Sequence, residues 1–351
     1  MTFEAKCKAT AIGSVPHKEV DRAIEIIIKS FPEIPFWPQM PNASFRENMY
    51  VQFVENLPGA VVDEEGQRLY FDTTRVSADA LEKLYEDYLA ADLERFALSE
   101  MNARGFYALL EVLETGSTPE IKAVKGHVTG PVSIGLAVTD ENRKPILYND
   151  ILREALIKYL SMNIKWQESH LRAARPGLET IIFIDEPYLV SYGSAYISLT
   201  KEDAVGFLDE LISSAEGLVG IHCCGNTDWS ILLDTKVDII SFDSYDYAQS
   251  LALYADQVKG FMERGGLIAW GAVPSGLPMP DQITKETVEG LVQRLEDSME
   301  LLVDKGIDKS ILAHQALITP SCGTAAMERE NAERAFSFAR EVSDRMKERY
   351  F

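Results

Sequence analysis

L-V-G-I-H-C-C-G-N-T, residues 218–227, begins as a short apolar run and ends in side chains that ligate metals. Residues 218–223 stand between Gly217 and Gly225, the pattern of a strand buried on both faces. Side chains alternate along a strand. His222 and Cys224 therefore point one way, and Cys223 points the other way as a packing residue. Gly225 lets the backbone turn close to whatever His222 and Cys224 hold. A second such ending is T-P-S-C-G (319–323), where Cys322 follows another apolar run.

Outward from 218–223, short apolar β-branched runs alternate with longer amphipathic stretches. Strand-like segments fall at 8–14, 35–39, 123–129, 180–185, 218–223, 237–243, 267–272 and 311–319. Helical periodicity fills 20–30, 78–102, 151–174, 201–215, 248–264, 284–305 and 325–349. Repeated strand–helix alternation predicts an α/β fold, a (β/α)8 TIM barrel. Between the second and third strands, 60–62 and 68–71 flank D-E-E-G and predict a hairpin insertion. We read 1–351 as one barrel domain; the alternative is two α/β domains meeting near residue 145.

The chain has 351 residues, 46% of them hydrophobic, enough for a large core. Its net charge of -21 argues against partners that reward a basic surface, nucleic acid and anionic membranes. No apolar stretch reaches the roughly 18 residues of a transmembrane helix, and the first residues show no apolar signal core. Four cysteines, Cys7, Cys223, Cys224 and Cys322, are too few for a disulfide scaffold in a chain this long. They fit a cytoplasmic protein with metal or thiol chemistry, with Cys7 expected in the core.

In TIM barrels the chemistry sits at the C-terminal ends of the strands. G-S (13–14), T-G-P (129–131), D-E-P (185–187), H-C-C-G (222–225), F-D (242–243) and P-S-C-G (320–323) all fall there. His222, Cys224 and Cys322 form a donor set suited to zinc. Their wide separation along the chain favours a catalytic over a structural site. The fourth ligand stays open: Asp243 could supply a carboxylate oxygen or instead orient His222.

Six motifs in order carry a resemblance: A-I-G-S (11–14), V-K-G-H-V-T-G-P (124–131), I-D-E-P (184–187), H-C-C-G (222–225), D-I-I-S-F-D (238–243) and P-S-C-G (320–323). From about residue 12 to 322 the chain resembles the catalytic C-terminal domain of cobalamin-independent methionine synthase, in a short core form. The wider group includes uroporphyrinogen decarboxylase and corrinoid:coenzyme M methyltransferases. The resemblance implies zinc on His222, Cys224 and Cys322, and a Glu ligand of the family stands at Asp243. It implies that the backbone at Ile12, Gly13 and Ser14 holds the carboxylate and amine of homocysteine, and that Asp185 receives the amino group. The implied activity is transfer of a methyl group to a small thiol, homocysteine giving methionine.

Two departures bear on substrates. In P-N-A-S-F-R-E-N-M-Y (41–50), Ala43 stands where the methionine synthases carry a second acid, with Glu47 nearby. The loop 271–278, G-A-V-P-S-G-L-P, lacks the histidine that helps a folate amine depart. The folate-binding N-terminal half of the full-length enzymes is also missing from this sequence. These features point to a methyl-corrinoid such as methylcobalamin as donor, free or on a corrinoid protein partner. Coenzyme M is an alternative acceptor, but Asp185 favours one with an amino group. A uroporphyrinogen decarboxylase-like activity would need an arginine-rich pocket, which P-H-K-E-V-D-R-A (16–23) does not supply. A non-catalytic zinc module of a larger methyl-transfer complex is a third reading.

Lesser residues have expectations too. His127 is expected to be a hydrogen-bonded histidine. His17 is expected to contact substrate or donor, or to cap the first helix. Trp37, Trp166, Trp229 and Trp270 are expected in the core, and Tyr188, Tyr245 and Tyr247 as pocket walls. Asn226 and Asp228 are expected to hold the metal loop.

Overall fold

A computed structural model describes residues 3–116, 118, 120–195, 197–277 and 279–351. Pro278, the last residue of the donor-side loop, lies outside the described residues. The strands are β1 (Lys8–Ala9), β2 (Ala60–Asp63), β3 (Arg68–Phe71), β4 (Ala123–Thr129), β5 (Glu179–Asp185), β6 (Leu218–Cys223), β7 (Ile239–Phe242), β8 (Leu267–Val273) and β9 (Ala316–Pro320). Seven of them form a curled parallel sheet in the order β1-β9-β8-β7-β6-β5-β4, a TIM-barrel-like arrangement. β2 and β3 form a separate antiparallel pair.

Residues 34–39 span the two edges of this sheet. Lys125 N donates to Pro35 O at 2.9 Å on the β4 side, and Gln39 N donates to Gly13 O at 3.1 Å on the β1 side. Pro35 and Pro38 have no N–H to give, so this segment makes isolated bridges, Phe36 to Lys125 and Ser14 to Gln39, instead of a ladder.

Side-chain alternation sorts the sheet into two faces. Ile12, Ile34, Ala123, Ile181, Phe183, Ile239, Leu267, Ala269 and Leu317 fill its interior. Ile182, Ile184, Val219, Ile221, Cys223, Ile240, Phe242, Trp270 and Ile318 pack outward against the helices. The helix Val20–Ser30 turns Ala23, Ile24, Ile26 and Ile27 inward. The long helix Asp150–Ala174 starts at Asn149, whose side chain accepts from Leu152 N.

Several boundaries differ from expectation. The first strand is two residues long, not 8–14, because the chain leaves the ladder to meet 34–39. The run 311–319 splits into a helix, Lys309–His314, capped by Asp308, and the strand β9. The 78–102 stretch is helical only over Ala78–Leu89 with a 3-10 turn at Leu93–Phe96, and Arg104–Glu114 is a further helix. The 248–264 stretch is two helices, Ser244–Ala252 and Ala255–Glu263.

Candidate metal centre

β6 carries His222 on the interior face and ends so that Cys224 follows on the same side. Cys322 arrives just beyond β9. One donor atom from each of the three lies within 4.8 Å of the others. A tetrahedral zinc with bonds of about 2.0–2.3 Å spaces its nitrogen and sulfur ligands roughly 3.5–3.8 Å apart, so the three donors are close enough to share one ion.

The imidazole is already oriented for that task. His222 Nδ1 lies 2.9 Å from Ser241 Oγ, across the register pair His222–Ser241 of β6 and β7. His222 Nε2 is buried without a hydrogen-bond partner. A buried imidazole nitrogen without a hydrogen-bond partner, beside two sulfurs, fits the role of a metal ligand. Cys224 is held toward its thiolate, well below the usual thiol range, first by the neighbouring Cys322 thiol and then by His222. Cys322 is pushed far the other way by the same pairing and by burial. A divalent cation held by both sulfurs would favour the thiolate at each. Cys223, by contrast, is packed in the outer core, where burial pushes its thiol up to about 12.

The backbone of Cys322 is pinned from the loop that follows β8. Cys322 N donates to Ser275 Oγ at 2.9 Å, and Ser275 Oγ donates to Cys322 O at 2.8 Å. On the β6 side, Asn226 Oδ1 accepts from Ser250 Oγ, and Asp228 caps the helix Trp229–Asp234 through Ser230 N. Both therefore tie down the loop that follows Cys224.

Asp243 is not in the three-residue cluster. Its carboxylate caps the helix Ser244–Ala252 by accepting from Asp246 N at 3.0 Å, and burial raises it to about 7. The Nδ1 partner of His222 is Ser241, not Asp243. Asp185 ends β5 on the interior face beside His222, with Oδ1 buried and without a partner. Burial raises its carboxyl, while His222 and Lys125 pull it back. Ser14 sits against the Cys322 loop: its carbonyl accepts from Thr324 N at 2.8 Å and from Thr324 Oγ1 at 3.0 Å.

Other expectations meet different outcomes. His127 has neither ring nitrogen hydrogen-bonded; it stacks on Trp37 with ring centroids 3.8 Å apart, and burial drives it neutral. His17 Nε2 pairs with Glu333 Oε1 at 3.2 Å, tying the loop before the first helix to the helix Arg329–Tyr350. Glu47 is committed to Arg104 Nε and Met40 N. The four tryptophans and Cys7 are all buried. Tyr245 bonds to Glu286 Oε1 at 2.6 Å, and Tyr188 is partly exposed against Tyr50.

Three residues that matter here escaped the sequence reading: Ser241, Ser275 and Lys125. Lys125 lies in the quoted V-K-G-H motif, and a lysine two places from His127 on a buried strand was the available signal.

The fold and cluster thus define a TIM-barrel-like α/β protein with a His–Cys–Cys metal-type centre at the strand ends. No family model matches the chain, and no curated protein matches it. Among solved structures, a Listeria monocytogenes protein described as a candidate vitamin-B12-independent methionine synthase is 14% identical, aligned over 100% of this chain and 99% of its own, with a TM-score of 0.58. A B12-independent methionine synthase from Shewanella sp. W3-18-1, in complex with selenomethionine, is also 14% identical over 69% of this chain and 67% of its own, with a TM-score of 0.47. The Listeria likeness extends end to end and is one of fold.

Proposed function

We propose that this protein is a zinc-dependent methyltransferase that moves a methyl group to a small thiol, with homocysteine as acceptor and methionine as product. The observation that carries this reading is the meeting of one imidazole and two cysteine sulfurs, with His222 Nε2 buried and unpartnered. The end-to-end fold likeness to the Listeria protein supports it. A bound zinc would convert an incoming thiol to its thiolate, the nucleophilic form, and fix its position.

His222, Cys224 and Cys322 hold the ion in this reading. Ser241 keeps the imidazole in the tautomer whose Nε2 is free to bind. Asp185, its Oδ1 lacking a partner in the interior, receives the acceptor's ammonium, and the backbone at 12–14 receives its carboxylate. That division favours homocysteine over coenzyme M, whose sulfonate would meet the Asp185 anion. Proximity and alignment of thiolate and methyl carbon supply the rest of the rate.

The donor in this proposal is a methyl-corrinoid, free or on a partner protein. Both fold relatives are described as B12-independent, so the donor rests on this chain's own loop: residues 271–277 contain no histidine to protonate a departing amine. A corrinoid leaves as a stable anion and needs no such proton. The reliance on free thiols supports a cytoplasmic setting.

The test is homocysteine-dependent demethylation of methylcobalamin by the zinc-loaded protein, with coenzyme M as rival acceptor and methyl-tetrahydrofolate as rival donor. The expected result is turnover with homocysteine and methylcobalamin, abolished together with zinc content in Cys224→Ser and Cys322→Ser. Full thiol methylation by a zinc-free variant would overturn the proposal.

A further inference from the structure

Lys125 is completely buried in the interior of the sheet. Its Nζ donates to Ile12 O at 2.6 Å. Its stem and head lie between aromatic rings, with Nζ 4.6 Å from the Phe183 centroid and 5.6 Å from that of Phe36. Burial lowers its pKa from 10.5 to about 7, with the Asp185 carboxylate pulling the other way, and Ile12 O is its hydrogen-bond acceptor among the described residues.

The carbonyl belongs to the segment assigned above to the acceptor, so this inference rests on that reading. Every carbonyl of residues 12–14 is engaged. Ile12 O accepts from Lys125 Nζ, Gly13 O from Gln39 N, and Ser14 O from Thr324. In a trans peptide the C=O and the following N–H point in opposite directions. The Gly13 N–H therefore points away from Lys125, and the Ser14 N–H away from Gln39 N. Among the described residues neither N–H has a protein acceptor. The His127 ring closes the other side of Gly13, where a Cβ would stand 2.9 Å from Nδ1 and Cε1.

We infer that Lys125 is a positioning residue: by gripping the Ile12 carbonyl it aims the Gly13 N–H, beside that of Ser14, at the carboxylate of the acceptor thiol. Lys125 itself touches no substrate. Its effect is selective for acceptors that carry a carboxylate.

The experiment compares wild type with Lys125→Met, both zinc-loaded and full length, by calorimetric titration with homocysteine and with cysteamine, which has the thiol and amine but no carboxylate. The expected result is a loss of about 10–100-fold in homocysteine affinity, the worth of a charge-assisted hydrogen bond, with cysteamine affinity undiminished and zinc stoichiometry unchanged. Unchanged homocysteine affinity, or equal losses for both thiols, overturns the assignment. If Lys125→Met does not fold, Lys125→Leu, which likewise removes the donor to Ile12 O, is read the same way. A wild type that binds neither thiol defeats the proposed function instead. Lys125 is then judged by amide exchange at Gly13, which Lys125→Met accelerates if the lysine sets that peptide and leaves unchanged if it does not.

Discussion

At the residue scale, two adjacent cysteines have opposite fates because of strand alternation. Cys224 shares the interior side with His222, and Cys223 packs among outward-facing apolar residues. Cys223→Ala is therefore expected to retain full zinc while losing about 1–2 kcal/mol of stability through lost packing. Cys224→Ala is expected to lose zinc with little change in the apoprotein's stability. Metal analysis and denaturant titration of both variants check this, and the reverse pattern would refute the orientation. Ser241→Ala leaves His222 Nδ1 without its 2.9 Å partner. The expected cost is about 10–100-fold in zinc affinity, as for other groups that orient metal-bound histidines, measured by chelator competition. The split of Cys223 from Cys224 was legible in the sequence because period-two alternation needs only a strand. The Ser241 contact was not. Ser241 and Asp243 lie on one face of the same segment, and only the register between β6 and β7 decides which stands opposite His222.

At the scale of elements, Glu186 shows how a strand end supports a helix. It is fully buried, and its carboxylate accepts from Val132 N, Ser133 N and Ser133 Oγ at the start of the helix Pro131–Ala137. Burial outweighs these bonds and raises its carboxyl from 4.5 to about 7. The folded state therefore binds this proton more tightly than the unfolded chain. The contribution to stability is full below about pH 4.5 and is lost as pH rises through about 7. Glu186→Gln should flatten this part of the stability profile. Urea midpoints of both proteins at pH 5 and pH 8 check it, and parallel profiles would refute it. Gly271 is a second element-level constraint. A Cβ there would stand 2.5 Å from Phe242 O and 2.8 Å from Ser321 Cα, so Gly271→Ala should cost about 1–3 kcal/mol by overpacking and weaken zinc binding by displacing Cys322. Thermal unfolding and zinc titration measure both effects. Element boundaries were the least legible feature. The run I-L-A-H-Q-A-L-I-T is apolar on both sides of His314 and Gln315, and apolarity alone does not separate the helix Lys309–His314 from β9. The signal was Asp308, whose carboxylate accepts from Ser310 N and Ile311 N as a cap.

At the scale of the whole molecule, the strand–helix alternation located the strand ends at which the candidate cluster lies. A parallel sheet built from such units gathers its strand ends at one edge, and His222, Cys224, Asp185, Ser14 and Cys322 are brought there from across the chain. The sequence did not disclose how weakly residues 34–39 bond between β1 and β4, because the two prolines that remove ladder donors sit in a segment whose apolar pattern still reads as a strand. The net charge is -21, yet Lys125 and His127 on β4, Asp185 on β5 and His222 on β6 are all buried. The most direct measurement is X-ray absorption at the zinc edge of the purified protein before and after homocysteine is added. The account predicts one zinc per chain with one nitrogen and two sulfur neighbours from the protein, rising to three sulfurs on addition of the thiol. A protein without bound zinc, or a sulfur count that does not change with homocysteine, would contradict it.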